Sequence, residues 1–239
     1  MRLEDQVAIV TGASRGIGEA IALAFAREGA DLILAARTLA DLERVAQKVE
    51  MLGRRAIVIE TDITDETAVK QMIQRGHEAL GKIDILVNNA GVTMFRPVRG
   101  IHLDIWERMM AVNLRGPFLC TKHVWRIMQK QGGGVIVNIG STAGSRTYPH
   151  IGAYSASKWG LTGFTKVCAE EGKPDNIRVN IVNPGRVRTA MRDYHFVDDS
   201  APILEADDIV GSVIFLASDD ARYVYGQIIE IEHPGPPRK

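Results

Sequence analysis

Apolar positions along this chain follow two periods that alternate almost to its end. Short, nearly continuous apolar runs occur in "VAIVTG", "DLILAA", "RAIVIE", "DILVNN", "GVIVNI", "IRVNIV" and "GQIIEIE". Between them lie segments of helical period, such as Ile17, Ile21, Ala24 and Phe25, then Leu39, Leu42, Val45 and Val49, then Val69, Met72, Ile73 and Leu80. A strand with apolar residues on both faces needs cover on both faces. Strand–helix alternation therefore predicts an α/β fold, a parallel sheet of about seven strands with helices on either side. Right-handed crossovers make it doubly wound. No linker, repeat or shift of composition interrupts the pattern, which predicts a single domain over 1–239.

Composition narrows the classes of function. The 239 residues are 46% hydrophobic and carry a formal net charge of +0, so bulk attraction to nucleic acid or to an anionic membrane is not expected. The apolar runs are strand-sized and too short to span a bilayer. The opening "MRLEDQVAIVTG" enters a strand pattern within a few residues, so no signal peptide is expected. Cys120 and Cys168 fall in helical contexts and read as small core residues, in keeping with a reducing, cytoplasmic setting. The six histidines show no spacing suited to a metal, and "HPGPPRK" reads as a loose tail.

The first strand runs into "TGASRGIG", residues 11–18, and then into a helix. A strand, turn and helix in this order aim free backbone N–H groups and the positive helix end at a pyrophosphate, as in a Rossmann dinucleotide site. Gly12 permits the tight turn, Gly16 lets the backbone approach phosphates, and Gly18 lets the helix pack on the sheet; Ser14, Arg15 and Ile17 complete the cradle. At the end of the second strand, "LAART" places Ala36 where NAD binders carry an acid, followed by Arg37. Arg37 and Arg15 suit a 2′-phosphate, whose oxygens match the planar guanidinium fork. NADP(H) is therefore the preferred cofactor, with NAD(H) possible. Asp62 and its neighbour Ile63 follow the third strand and are placed to meet the adenine, although Asp62 could equally cap the helix that follows.

In "YSASK", residues 154–158, Tyr154 and Lys158 lie four apart, on one face of a helix. With "TGASRGIG", "NNAG" at 88–91, Asn113 in "VNLRG", Ser141 in "NIGSTAG" and "NPGRVRT" at 183–189, the chain resembles the short-chain dehydrogenase/reductase family over nearly its whole length. Reductases of 3-oxoacyl-acyl-carrier-protein thioesters are the nearest pattern. The resemblance implies an NADP(H)-dependent oxidoreductase that transfers a hydride between nicotinamide and a carbonyl or secondary alcohol. Tyr154 is then the acid or base on the substrate oxygen, Lys158 its electrostatic partner and a ligand of the nicotinamide ribose. Ser141 binds the substrate oxygen, and Asn113 holds a proton-relay water. A phenol must come down by about 3 units from a pKa near 10 to work at neutrality. An ammonium about 4 Å away, at an effective dielectric near 20, supplies roughly the 4 kcal/mol this requires. Asn88 ties strands together, Asn89, Ala90 and Gly91 face the cofactor, and Pro184, Gly185, Val187 and Thr189 approach the nicotinamide.

The segment after Thr189 is short for this family and predicts a short substrate lid near 189–205, with Met191, Tyr194, His195 and Phe196 as wall residues; Tyr148 and His150 flank the same mouth. Substrates implied are a 3-oxoacyl thioester or a small ketone. A basic patch for an acidic carrier protein is thin, limited to Lys130 and Lys173. The family implies a homotetramer or homodimer, with "IWERMMAVNLRGPFLCTKHVWRIMQ" and "YVYGQIIEIE" as candidate faces. Two alternatives remain. One is an NAD-dependent sugar or alcohol dehydrogenase. The other is a non-catalytic dinucleotide sensor or scaffold, which would be expected to have lost one of Ser141, Tyr154 or Lys158.

Overall fold

The computed structural model describes residues 1–189 and 203–235. The apolar runs become strands β1 (Val7–Thr11), β2 (Asp31–Ala36), β3 (Ala56–Glu60), β4 (Ile85–Asn88), β5 (Gly134–Ile139), β6 (Ile177–Pro184) and β7 (Ile228–Ile231). Between them lie helices α1 (Gly16–Arg27), α2 (Leu39–Met51), α3 (Glu66–Leu80), α4 (Leu103–Met110), α5 (Gly116–Gln131), α6 (Gly152–Gly172) and α7 (Asp207–Ala217). All seven strands form one parallel sheet in the order β3-β2-β1-β4-β5-β6-β7.

Alternation along each strand feeds two separate apolar layers. On one face Ala8, Val10, Leu32, Leu34, Val135 and Val137 pack with Ile21 and Phe25 of α1, Leu42 and Val45 of α2 and Val213 of α7. On the other, Ile9, Ile33, Leu86, Ile136 and Val179 pack with Met72 of α3, Val124 and Met128 of α5 and Ala169 of α6. Cys120 and Cys168 are buried in this second layer, where burial pushes both thiols up to about 12.

The helix ends follow local chemistry. Asp65 caps α3 by accepting from Thr67 N at 2.8 Å, and α3 stops at Gly81, whose φ of 82° is left-handed. Asp62, an alternative for that cap, instead accepts from the backbone N and hydroxyl of Thr64 in its own turn. Strand order reverses between β1 and β4, since β2 and β3 lie to one side and β5 to β7 to the other. A crevice is expected at the carboxyl ends of strands flanking such a switch.

Candidate active site

A cleft of about 330 Å³ opens at that switch point. Its floor begins at the glycine loop. Gly12 has a φ of +66°, and a Cβ there would come within 2.8 Å of Ala90 Cα, so both the turn and the neighbouring strand end require glycine. Gly18 lies in the first turn of α1; a Cβ there would stand 2.2 Å from Gly12 O. Thr11, which the sequence reading passed over, fastens the two strand ends. Its hydroxyl accepts from Asn89 N at 3.0 Å and Ala90 N at 3.2 Å, while Asn89 Nδ2 donates to Thr11 O at 2.9 Å and Gly12 O at 3.1 Å. From the other side Arg44 reaches Ser14 O at 3.0 Å and pairs with Glu19 at 2.6 Å.

Arg15 enters α1 in extended conformation and no side chain caps that helix, so its first N–H groups are left for a ligand. Gly12, Ser14, Arg15, Gly16 and Ile17 all line the cleft. A glycine cradle that any Cβ would fill, under an uncapped helix start, fits a dinucleotide pyrophosphate. Farther along, Arg37, Asp41, Asp62 and Ile63 line the end suited to adenosine. Burial raises the Asp62 carboxyl, but the Thr64 hydrogen bonds and the charges of Arg37 and Arg108 outweigh it and hold the group below its ordinary value.

At the opposite end Ala90, Gly91, Tyr154, Lys158 and Thr189 line the cleft. Asn113 sits in a π-helical turn, Ala111–Arg115, that breaks the run from α4 to α5. Such bulges often mark functional positions. Here the extra residue turns a fully buried carboxamide onto the backbone of Val92, accepting from its N and donating to its O, each at 2.9 Å. Asn113 Nδ2 also donates to Ser157 Oγ at 3.1 Å, and Ser157 donates to Tyr154 O at 2.7 Å. Ser157 escaped the sequence reading, although a serine three positions after Tyr154 can return a hydrogen bond to that carbonyl. Asn88 pairs with Asn138 at 2.9 Å across β4 and β5, and Asn138 with Thr165 of α6 at 2.8 Å, a polar tie between sheet and helix.

Tyr154 and Lys158 share one face of α6, with the Lys158 Nζ 5.8 Å from the centre of the Tyr154 ring. The lysine is 4% exposed and donates to Ile139 O at 2.8 Å. Burial pulls its pKa down to about 8. Burial also raises the Tyr154 phenol, opposed by a hydrogen bond with the Ser141 side chain. The expected depression of the phenol by the lysine charge is therefore not what this protein shows by itself. Desolvation acts on both groups, and the ammonium is engaged by a carbonyl. Ser141 stands just past β5, its Oγ accepting from Ala143 N at 3.1 Å.

Not every expected residue lines the cleft. Gly18, Asn113 and Ser141 lie behind its wall or beside it. Gly185 is pinned to the end of β7 by donating its N–H to Ile231 O at 2.8 Å, next to Pro184 at the end of β6. Val187 bridges to Leu204. Thr189 packs over the glycine loop, where a Cβ on Gly16 would meet its Cγ2 at 3.3 Å. Tyr148 and His150 are exposed on the loop before α6. Of the lid expected over 189–205, the stretch with Met191, Tyr194, His195 and Phe196 lies outside the described residues, as does the end of the tail. Among the described residues no cluster suits a metal ion, and no helix is long and apolar enough to cross a membrane.

Known proteins share this arrangement. The family model for short chain dehydrogenases matches residues 6–200. A 3-oxoacyl-[acyl-carrier-protein] reductase of Synechocystis is 36% identical over 241 residues, covering 96% of this chain and 96% of its own. Carveol dehydrogenase from Mycobacterium avium, solved with NAD, superposes with a TM-score of 0.91 at 34% identity, covering 96% of this chain and 97% of that one. A blue fluorescent protein from a metagenomic library, solved with NADPH, does so with a TM-score of 0.91 at 35% identity, covering 97% and 98%. The chain belongs to the short-chain dehydrogenase family and is an oxidoreductase that binds a nicotinamide cofactor.

Proposed function

We propose that this protein is an NADPH-dependent carbonyl reductase in which Tyr154 exchanges the proton on the substrate oxygen. The observation that carries the reading is the joint position of Tyr154 and Lys158 on one helix face, at the end of the cleft that starts under the glycine loop. Nicotinamide, when bound there, supplies or accepts the hydride. The chain's own residues do the rest. Gly12, Ser14, Arg15, Gly16, Ile17 and the start of α1 hold the pyrophosphate. Asp62 and Ile63 flank the adenine, while Asn89, Ala90, Gly91, Pro184, Gly185, Val187 and Thr189 form the approach to the nicotinamide. Lys158 places positive charge beside the phenol and binds the ribose, and its pKa near 8 keeps it charged at neutral pH. Ser141 orients the substrate oxygen and favours the ionised phenol. Asn113, held by Val92 and Ser157, is the residue that would hold a relay water linking Lys158 to solvent.

Arg37 and Arg15, with Ala36 in place of an acid, support NADP(H) over NAD(H). Asp41 and Asp62 near Arg37 are the observation favouring the second reading, an NAD-dependent alcohol or sugar dehydrogenase. A 3-oxoacyl thioester or a small ketone is the substrate class supported by the Synechocystis and Mycobacterium avium relatives. The test mixes the protein with NADPH or NADH and acetoacetyl-coenzyme A, cyclic ketones and ketoses in parallel, following loss of reduced cofactor at its absorption band. Turnover with NADPH of a thioester or ketone is expected. Cofactor binding without turnover of any carbonyl would leave a sensor. Arg37→Asp should weaken use of NADPH far more than of NADH, and an equal loss with both would remove Arg37 from the 2′-phosphate.

A further inference from the structure

Asn183 is fully buried at the end of β6. Alternation along β6 puts it on the same face as Ile177 and Val179, the layer covered by α5 and α6. The parallel ladder from β5 to β6 reaches Gly140, whose N–H donates to Val182 O at 2.7 Å. The next rung would need an N–H from Pro184, which has none. The ladder stops there, and the Ser141 N–H, which the alternation along β5 would turn toward the β4 side, is taken up by Asn183 Oδ1 at 3.2 Å. A backbone N–H can only donate, so the atom facing it is the carboxamide oxygen, which leaves Asn183 Nδ2 buried without a hydrogen-bond partner.

Gly140 makes room for this contact. Its φ is not left-handed, so the backbone does not demand glycine. A Cβ at position 140, however, would stand 1.9 Å from Asn183 Oδ1, where no side chain fits. Position 140 must be glycine for the Asn183 carboxamide to cross the strand end. A buried donor left unmet and a strand residue reduced to glycine are two local sacrifices made for one hydrogen bond to Ser141.

We propose that Asn183 is a positioning residue, whose carboxamide oxygen fixes the turn after β5 and thereby aims the Ser141 hydroxyl at the substrate oxygen and at Tyr154. This rests on the reading of Ser141 in the proposed reaction. Asn183 is not among the residues lining the cleft and acts only through Ser141.

The test is a double-mutant cycle with an exchange readout. Turnover is measured with NADPH and acetoacetyl-coenzyme A, or with the ketone of the panel that is reduced. Asn183→Ala should lower kcat by about ten- to a hundred-fold, the scale of a misplaced group, with the KM for NADPH unchanged. The same change in a Ser141→Ala background should cost nothing further, because the group it aims is gone. Amide exchange of Ser141 should accelerate in Asn183→Ala and stay slow in Asn183→Asp, which keeps an oxygen opposite the N–H. Gly140→Ala, with Asn183 present but displaced, should reproduce the alanine phenotype and serves if Asn183→Ala does not fold. Equal losses in both backgrounds, or Ser141 exchange that ignores Asn183 and Gly140, would overturn the proposal. Full turnover by Ser141→Ala overturns the parent reading and any catalytic positioning with it. That result differs from failure of the brace alone, in which Ser141→Ala turns over slowly but Ser141 exchange does not respond.

Discussion

At the scale of single residues, the site is governed by desolvation. Lys158 is an ammonium that folding takes out of water, and its pKa falls to about 8 from an unfolded value near 10.4. The sign follows from proton binding. Between these pH values the unfolded chain holds the proton and the folded chain does not, so stability rises as pH rises. The penalty is fully present below about pH 8 and relieved above about pH 10.4. Lys158→Met removes the titration. We expect the unfolding free energy of the unmutated protein, relative to Lys158→Met, to climb by about 3 kcal/mol across this window in paired urea titrations. A flat difference would mean that Lys158 is not desolvated. In the proposed reaction the same residue sets the opposite demand, since its charge is lost above about pH 8 unless a bound anion restores it. Tyr154→Phe should reduce kcat by about a thousand-fold while NADPH still quenches the intrinsic fluorescence at the same concentrations. Loss of binding in parallel would show that the hydroxyl organises the cleft rather than moving a proton. The pair itself was legible in the sequence as a four-residue spacing. Its electrostatics were not, because the spacing does not reveal that Ile139 O would face the ammonium.

At the scale of elements, periodicity was a sound guide wherever a segment packs by its own pattern. All seven apolar runs became strands, and the helices expected between the first four lie where their spacing put them. What the period could not show is where elements are tied by partners distant in sequence. The motif around Asn113 does not show that a π turn aims it at Val92, 21 residues earlier. Arg178 in β6 is 5% exposed and donates to Leu216 O at 2.7 Å and Ser218 O at 3.0 Å, partners 38 and 40 residues away that no period reveals. Those carbonyls close α7, and a cation at a helix C-terminus also complements its dipole. Burial pulls the guanidinium down, and the nearby Asp219 carboxylate offsets part of that, so the helix end and Asp219 together balance the charge of Arg178. Arg178→Leu strips both carbonyls of their donor while preserving an apolar strand position. A loss of about 3 kcal/mol in urea unfolding is expected, the scale of two charged hydrogen bonds to buried groups. A loss below about 1 kcal/mol would mean that water replaces the guanidinium at the helix end.

At the scale of the whole molecule, the strand order explains why so many separate motifs could be read in sequence as one site. The switch between β1 and β4 gathers the ends of both strands, and the glycine loop, "NNAG" and Tyr154 and Lys158 of α6 meet there although they are far apart in the chain. Substrate choice was not legible in the same way, since no period or motif names a substrate, and most of the lid expected over 189–205 lies outside the described residues. A cleft assembled from so many elements predicts that its ligand stabilises the fold as a unit. A ligand at a hundred times its Kd adds about 2.7 kcal/mol, which for a chain of this length raises Tm by roughly 5–10 °C. If Arg15 and Arg37 grip a 2′-phosphate, NADPH should give that rise at concentrations where NADH gives little. Arg37→Asp should then reduce the NADPH shift and leave the NADH shift in place. Scanning calorimetry at matched cofactor concentrations makes the comparison without any substrate. Equal shifts from both cofactors in the unmutated protein would assign the binding energy to the glycine loop and Asp62, and the preference for NADP(H) would have to be given up.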